Sequence, residues 1–360
     1  MNTFDENNFK HGARDLPEHY SLPESPQHAE IAGAMLPAVW VEKNPTTGFQ
    51  TYPKRNQDEA SDCVEYSLAK ALGVDFLNLL GVYRELSPHS IYPLVVEPGG
   101  GSNSLTAANM VVQLGMTLED LFESDGLTEA QAESLSGYYP DAKQIAMLYR
   151  PPNIVQCATD FETIASILQS YQQHGKRKVV MVTIYGTNNG TWLSTMPTPP
   201  VAPQVLWQHR ISVTDFGLIN GQKVLSFDNS WGTSVQQNGI SYPIGNNGQQ
   251  FLTKAYEPFM YGGIYTLDPS NITSLTPAMP KPKYTFTVMF GVGTSGPDVL
   301  ALQQCLQSLG MFPVNSVVKP TGYFGGISKE GVEMFQAAFG LPVTGMVDTP
   351  TILELNKIFA

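Results

Sequence analysis

Charged residues are scarce in this 360-residue chain, and most of them are acidic. Only 14% of the residues are Asp, Glu, Lys or Arg, and 32 acids against 20 bases give a formal net charge of −12. Because phosphate binding needs clustered Lys and Arg, a nucleic-acid partner is not expected. The apolar stretch 179–185 is far too short to span a bilayer, so no membrane span is expected. No basic segment followed by an apolar one opens the first thirty residues, so no secretory signal is expected.

Cysteine is also scarce, which excludes two further classes of protein. Cys63, Cys157 and Cys305 lie far apart, so they form neither a disulfide framework nor a Cys-rich metal site. No HExxH, CxxC or carboxylate pair at ligand spacing is present, and the sequence therefore predicts no metal and no cofactor. In their place the chain has 32 Gly and 27 Pro, which is typical of a loop-rich globular protein that contains β-structure.

The order of sequence patterns predicts an α+β main domain. Residues 1–37 are polar and aperiodic, and they read as an extended arm that packs along a surface or stays mobile, with a propeptide as the alternative. Within 38–269, helix-like segments come first and strand-like segments follow. We expect three helices: one that begins near Cys63, one over 105–114 and one over 161–172. We expect strands over 178–185, 211–219 and 223–228, with an Asn220-Gly221 hairpin turn between the last two.

The last part of the chain is internally repetitive. Three prolines in 270–284 predict a semi-rigid linker, and 285–360 follows as a small domain of three helices. Its turns Thr321-Gly322 and Thr344-Gly345 are each followed by a helix pattern. We expect Ser328 and Thr349 to cap these helices at their N-termini, with Pro350 at a first helical position.

One constellation of residues carries nucleophilic chemistry. Cys63 is predicted to lie at a helix start, where the backbone amides and the helix dipole favour thiolate, although a lone cysteine is more often a buried structural thiol. Gln57 precedes it by six residues, His209 opens a strand, and Asn229 ends the next strand. A thiolate–imidazolium pair can attack an amide and protonate its leaving group, and a side-chain amide can stabilise the oxyanion.

These residues stand in recognisable surroundings. Asn56-Gln57 is followed by Cys63 and then Tyr66-Ser67; His209 is followed by Asn229-Ser230-Trp231-Gly232-Thr233; and Gly99-Gly100-Gly101-Ser102 lies between them. Over residues 36–268 the chain resembles the papain family of cysteine peptidases, which implies a two-lobed fold with a helical lobe and an antiparallel β lobe.

The resemblance also implies a role for each matching residue. Cys63 would be the nucleophile and His209 its base and acid. Asn229 would orient the imidazole, while the Gln57 amide and the Cys63 backbone N–H would form the oxyanion hole. Gly100 and Gly101 would line the substrate cleft, and Trp231 would shield the Asn–His hydrogen bond from water or simply fill the core.

The sequence departs from the papain pattern around the nucleophile. Val64 stands where the family usually has Trp, and the acids Asp62 and Glu65 flank Cys63. Negative charge opposes thiolate formation, although Asp62 is also well placed to be an N-cap. A catalytically weak or inactive homologue therefore stays open. We expect the other histidines to be solvated: His11, His19, His28, His89 and His174.

The tail resembles a second family. Gly296-Pro297-Asp298, Thr321-Gly322-Tyr323-Phe324 and Gly340-Leu341-Pro342, with the residues between them, look like the three-helix bacterial peptidoglycan-binding domain. The resemblance implies binding to cell-wall glycopeptide, and versions of this module also serve as protein-binding or virion pieces.

Together these features predict a cysteine peptidase or amide hydrolase that acts on peptides or wall peptides and is anchored to peptidoglycan. A wall module without a secretory signal favours action outside the cell, at the wall or in a phage particle, as a phage lytic or virion-associated protein with virion proteins as further partners. The alternative is an inactive papain-like homologue that serves as a structural or wall-binding protein.

Overall fold

The computed structural model describes the chain over residues 11–15, 35–138, 140–201, 207–268, 282–309, 311–312 and 319–360. Most of the predicted arm, including His19 and His28, and nearly all of the predicted linker 270–284 lie outside these residues.

Helices dominate the first half of the described chain. The α-helices are α1 (Cys63–Leu80), α2 (Tyr92–Val95), α3 (Ser104–Leu114), α4 (Glu129–Ala132), α5 (Pro140–Ala146) and α6 (Phe161–Gln172). Short 3₁₀ helices cover Pro88–Ser90, Glu119–Leu121 and Lys254–Phe259. The sequence predictions of helices near Cys63, over 105–114 and over 161–172 are confirmed.

A six-stranded antiparallel sheet forms the second half of the main domain. Its strands are β1 (Ile154–Cys157), β2 (Val180–Gly186), β3 (Trp207–Ile219), β4 (Gln222–Asp228), β7 (Gln249–Thr253) and β8 (Met260–Thr266), in the order β1-β8-β2-β3-β4-β7. A separate hairpin pairs β5 (Ser234–Gln237) with β6 (Ile240–Pro243). The predicted hairpin joins β3 to β4, where Asn220 and Gly221 both adopt positive φ, as a tight two-residue turn requires.

Helix α1 is buried on nearly every side because it lies between other elements. It packs against β3 on one side and against the C-terminal helix α8 (Gly326–Ala338) on another. Its interior residues Leu72, Val74 and Phe76 have no exposed surface. The helix ends at Gly81 in the left-handed conformation, with φ of 70°. The N-terminus of this tightly held helix carries Cys63.

The C-terminal part consists of α7 (Pro297–Ser308), α8 and α9 (Thr349–Phe359), and its repeat has a physical basis. In each Thr-Gly turn, the backbone N–H groups of the Thr and the Gly donate to one buried glutamine side-chain oxygen. Thr321 and Gly322 donate to Gln303, and Thr344 and Gly345 donate to Gln336. The predicted N-caps are wrong: α8 begins at Gly326 after Gly325, and Asp348 rather than Thr349 caps α9.

The C-terminal helices dock directly on the helical half of the main domain. Arg84 pairs with Glu333 and lies 3.9 Å from Glu330, which also accepts a hydrogen bond from the buried Tyr149 hydroxyl. Burial raises the pKa of Glu330. Because one apolar cluster runs from α1 into α7, α8 and α9, the described C-terminal residues pack on the main domain as part of a shared core.

No helix in the described ranges is long and apolar enough to cross a membrane.

Candidate active site

Cys63 begins α1 and faces the sheet. Its side chain has no exposed surface, and the backbone N–H of Arg210 on β3 approaches its Sγ to 3.5 Å. Burial raises the pKa of the thiol to about 12. With its cleft occupied as described below, the chain therefore holds Cys63 as a neutral thiol at neutral pH.

His209 directly precedes Arg210 on β3 and is held by an amide. Its Nε2 is 2.7 Å from Oδ1 of Asn229, the residue that follows β4. An amide oxygen can only accept, so Nε2 carries the proton and Nδ1 has a free lone pair. Nδ1 is buried and has no hydrogen-bond partner among the residues that the structure describes. Burial lowers the pKa of His209 to about 4, against the opposing effect of Asn229.

The orientation of the Asn229 side-chain amide is fixed by a second buried amide. Its Nδ2 donates to Oε1 of the fully buried Gln250 at 3.3 Å, and Gln250 in turn donates to the carbonyls of Trp192 and Ser194. The Trp231 ring stacks on the His209 ring with centroids 4.5 Å apart. This ring covers the His209 side of the Asn–His pair.

Gln57 reaches the site through backbone pairing between two distant segments. Its N–H donates to the Ser230 carbonyl at 2.8 Å, and Gly232 donates to the Arg55 carbonyl at 2.9 Å. The Gln57 side chain is buried, accepts from the Ser230 hydroxyl and donates one amide hydrogen to Ala60 O at 2.6 Å. Since a primary amide has two hydrogens, one stays available for an oxyanion.

The glycine-rich segment forms one wall of the cleft above Cys63. Gly99, Gly100 and Gly101 all adopt positive φ, between 82° and 89°. The N–H of Gly101 donates to the Tyr92 hydroxyl at 2.8 Å, which ties this wall to α2. Gly100 and Gly101 thus lie on this wall, and their contact with a substrate stays a prediction.

Residues 11–15 of the N-terminal arm run through this cleft. Arg14 N–H donates to Ser102 O, and Ser102 N–H donates to Gly12 O, both at 2.8 Å. The Gly12 N–H is hydrogen-bonded to the Cys63 thiol. A Cβ on Gly12 would lie 1.5 Å from the Ser61 carbonyl oxygen, so only glycine fits beside Cys63.

Each end of this segment is anchored. The His11 ring stacks on Trp207 with centroids 3.9 Å apart and meets His209 edge-on. At the other end the Asp15 carboxylate is fully buried and lies 3.5 Å from the Arg210 guanidinium. The expectation that His11 is solvated is wrong, because aromatic rings cover it.

His89 is the second histidine that the sequence misplaces. It is 5% exposed, and its two ring nitrogens contact the carbonyl oxygens of Glu123 and Ser134 at 2.9 and 2.7 Å. Its ring also stacks on Phe122. His174 is exposed, as expected.

The acids beside the nucleophile are buried rather than solvated. Asp62 occupies the N-cap position of α1 but makes no capping hydrogen bond, and burial raises its pKa well above the usual range. Glu65 accepts from the Ser102 hydroxyl at 2.7 Å, and burial raises its pKa to about 8. Glu65 is therefore held largely protonated at neutral pH, and burial disfavours the charged form of Asp62.

Two functional features escape sequence reasoning: the Arg210–Asp15 pair, and the lysines that hold Asp228. Lys54 and Lys70 both pair with Asp228, the residue directly before Asn229. Lys70 lies on α1, so this pair connects the helix of Cys63 to the strand that leads into Asn229. A basic residue directly before the predicted strand 211–219 was the available signal for Arg210.

Comparison with known proteins agrees with this architecture. Residues 295–355 match the family model described as "Putative peptidoglycan binding domain". The structure is similar to xylellain, a cysteine protease from Xylella fastidiosa, with a TM-score of 0.52 at 13% identity over 74% of this chain and 98% of that one. A comparison with curated protein sequences finds no match.

Two further solved structures are similar at lower scores. The Carica candamarcensis cysteine protease CMS1MS2 in complex with E-64 has a TM-score of 0.45 at 14% identity, covering 61% of this chain and 93% of that one. Procathepsin L 3 from Tenebrio molitor larval midgut has a TM-score of 0.46 at 13% identity, covering 65% and 73%.

The chain thus has an α+β papain-like fold with a helical lobe and an antiparallel β lobe. Its C-terminal helices α7, α8 and α9 correspond to the peptidoglycan-binding domain, which suggests association with the cell wall.

Proposed function

We propose that the chain is a cysteine peptidase or amide hydrolase in which Cys63 attacks and His209 carries the proton. The observation that carries the proposal is the His209–Asn229 hydrogen bond, which leaves a buried, unprotonated Nδ1 on the residue before Arg210, whose N–H approaches Cys63 Sγ. Such a nitrogen can take the thiol proton and later give it to the leaving amine. The spare Gln57 amide hydrogen and the Cys63 N–H then serve the oxyanion.

In the form described, this site is closed by the chain's own arm. Gly12 presents its N–H to the thiol while its carbonyl points to Ser102, so no carbonyl carbon of this residue is offered for attack. We propose that residues 11–15 act as an intramolecular inhibitor, and that activity requires their release.

Labelling with a thiol-reactive epoxide peptide tests the peptidase proposal. A Gly12→Val chain, which cannot seat the arm, should be modified at Cys63 and should hydrolyse peptide substrates, whereas Cys63→Ala should do neither. Cys157 and Cys305 are buried and serve as internal controls for unfolding. A folded Gly12→Val chain whose Cys63 stays unmodified would contradict the peptidase proposal.

We further propose that the C-terminal helices hold the enzyme on peptidoglycan, so that wall-linked peptides are its substrates. Anchoring raises the local substrate concentration and relaxes the demand on catalytic efficiency. The full Cys63→Ala chain should sediment with purified sacculi and be released by excess soluble glycopeptide. Digestion of the same sacculi by Gly12→Val and by Gly12→Val with Cys63→Ala, followed by analysis of released muropeptides, separates wall-peptide hydrolysis from protein cleavage.

The second candidate is a non-catalytic wall-binding or structural protein. It is favoured by the deep burial of Cys63, whose pKa is raised to about 12, and by the neighbouring carboxyls Asp62 and Glu65. Under this alternative, sacculus binding persists while epoxide labelling fails even after the arm is displaced. The bacteriophage setting, with virion proteins as partners, stays a prediction of the sequence.

A further inference from the structure

The anchored Asp15 carboxylate occupies a built anion pocket. Its oxygens accept from the backbone N–H of Ser104 at 2.8 Å, from the Ser104 hydroxyl at 2.6 Å and from the Thr183 hydroxyl. The Arg210 guanidinium completes the pocket at 3.5 Å. Ser104 begins the eleven-residue helix α3, so the helix dipole adds to the attraction for negative charge.

The pocket belongs to the enzyme body rather than to the arm. Arg210 is 1% exposed, and its guanidinium donates to Thr183 Oγ1 at 2.8 Å, to Gly262 O at 2.6 Å and to Met181 O at 3.1 Å. These partners lie on the sheet or beside it, so they keep the guanidinium aimed when the arm departs. All of them are neutral, and within the described ranges Asp15 is the one carboxylate at ion-pairing distance from Arg210.

The pocket also lies within the cleft that holds the nucleophile. Arg210 directly follows His209, and its own N–H approaches Cys63 Sγ to 3.5 Å. Asp15 is three residues from Gly12, the residue bonded to that sulfur. A peptide bound in place of the arm would therefore put a side chain into this pocket two or three residues from its scissile bond.

We propose that this pocket selects peptides with a carboxylate-bearing side chain, and that Asp15 occupies it as a substrate mimic. The inference rests on the proposed function for its catalytic meaning. An apolar side chain would leave the buried Arg210 charge without a counter-charge and the Ser104 and Thr183 hydroxyls without an acceptor. A neutral amide would still leave the charge without a counter-charge. A carboxylate satisfies all four donors.

Binding to an inactive chain tests the pocket independently of catalysis. The full chain with Gly12→Val and Cys63→Ala has an open cleft and cannot cleave. The probe is a synthetic peptide of residues 9–17, compared with versions that carry Glu, Asn or Leu at the position of Asp15, with affinity measured by calorimetry. We expect the Asp and Glu peptides to bind about 10- to 100-fold more tightly than the Asn and Leu peptides.

Removing the guanidinium should erase this preference. In the same background, Arg210→Met should bind the Asp and Asn peptides equally, and if that variant fails to fold, Ser104→Ala with Thr183→Val should reduce the preference severalfold. Equal affinity for Asp and Asn peptides in the parent, or a preference that survives loss of the pocket donors, would overturn the inference.

Cleavage is read separately. A random peptide library digested by Gly12→Val should yield products with Asp or Glu at a fixed position two or three residues from the cut. If the binding preference is present but no peptide is cleaved, the carboxylate pocket stands and the peptidase proposal fails. If peptides are cleaved with no acidic preference, the peptidase proposal stands and the pocket inference fails.

Discussion

The two ends of the segment that fills the cleft are held by different forces. At one end, His11 lies against Trp207, His209 and Trp231, which are aromatic rings. At the other end, Asp15 lies in a pocket of charged and polar donors around Arg210. The first end depends on stacking by a neutral ring, and the second depends on charge. Conditions that release one end should therefore leave the other largely unaffected.

Titration sharpens this difference. Burial, with a further contribution from His209, lowers the pKa of His11 to about 2. At pH values below the ordinary imidazole pKa of about 6.5, an imidazole in solvent takes up a proton, whereas the closed arm keeps His11 neutral. The Asp15 end faces Glu65, whose pKa is raised to about 8 by burial, with a smaller contribution from the Asp15 charge. Acid therefore acts against the His11 end, and base acts against the Asp15 end.

The largest effect is expected when both ends are released together. Gly12→Val places a side chain where the Ser61 carbonyl lies 1.5 Å from an ideal Cβ, so the arm cannot seat. Solvent then reaches Cys63, and the burial that raises the pKa of its thiol is reduced. At pH 8 we expect alkylation of Cys63 to accelerate at least about 100-fold, because thiolate is the reactive form.

A matched substitution on the arm controls for this effect. Arg14 donates from its side chain to the carbonyls of Gly99 and Gly100, at the exposed rim of the cleft. Arg14→Ala should accelerate alkylation less than about 5-fold, since exposed hydrogen bonds contribute little. If the two variants react at the same rate as the unaltered chain, the arm does not close the site.

The second effect is acid opening through His11. A group whose pKa is lowered in the closed state favours closure above its ordinary pKa of about 6.5 and withdraws that stability as the pH falls. Between pH 7.5 and pH 5, protonation of His11 alone should raise the open fraction roughly 30-fold. It is measured as the Cys63 labelling rate of the unaltered chain divided by that of Gly12→Val at each pH, which cancels the titration of the thiol itself.

His11→Phe is the control for acid opening, because it keeps a ring on Trp207 and cannot titrate. Its open fraction should rise roughly 30-fold less over the same range than that of the unaltered chain. Some rise will remain, since burial also lowers the pKa of His209 to about 4 in the closed chain. An equal rise in both chains would assign acid opening to groups other than His11.

Sequence reasoning recovered the parts of this site that follow from local pattern. The periodicity of Val64, Leu68 and Leu72 predicts α1 and so places Cys63, and Asn220-Gly221 predicts the turn that aligns His209 with Asn229. It also indicated both families from spaced motifs.

What it missed depends on contacts between segments far apart in the chain. His11 stands in a polar stretch that predicts exposure, and only the fold brings Trp207 and Trp231 over it. The ion pair between Asp15 and Arg210 escapes the sequence for the same reason, because the two residues lie far apart in the chain. Composition reports the average environment of a segment and carries no record of such partners.

The third effect isolates the charged end. Asp15→Asn keeps the shape of the side chain but removes the charge opposite Arg210, so the arm should open about 10-fold more at pH 7. The measurement is again the Cys63 labelling ratio. Acid opening should persist in this variant, because His11 is unchanged; its disappearance would show that the two ends do not titrate separately.

The smallest effect isolates the aromatic end at neutral pH. His11→Ala removes the ring that stacks on Trp207 at 3.9 Å, and such a contact contributes roughly 1 kcal/mol, or about 5-fold in the open fraction. His11 is held by Trp207 and Asp15 by Arg210, so the free energies of His11→Ala and Asp15→Asn should add in the double variant. Labelling of the two single variants and the double variant checks this: a double variant no more open than Asp15→Asn alone would mean that the charged end holds the arm by itself.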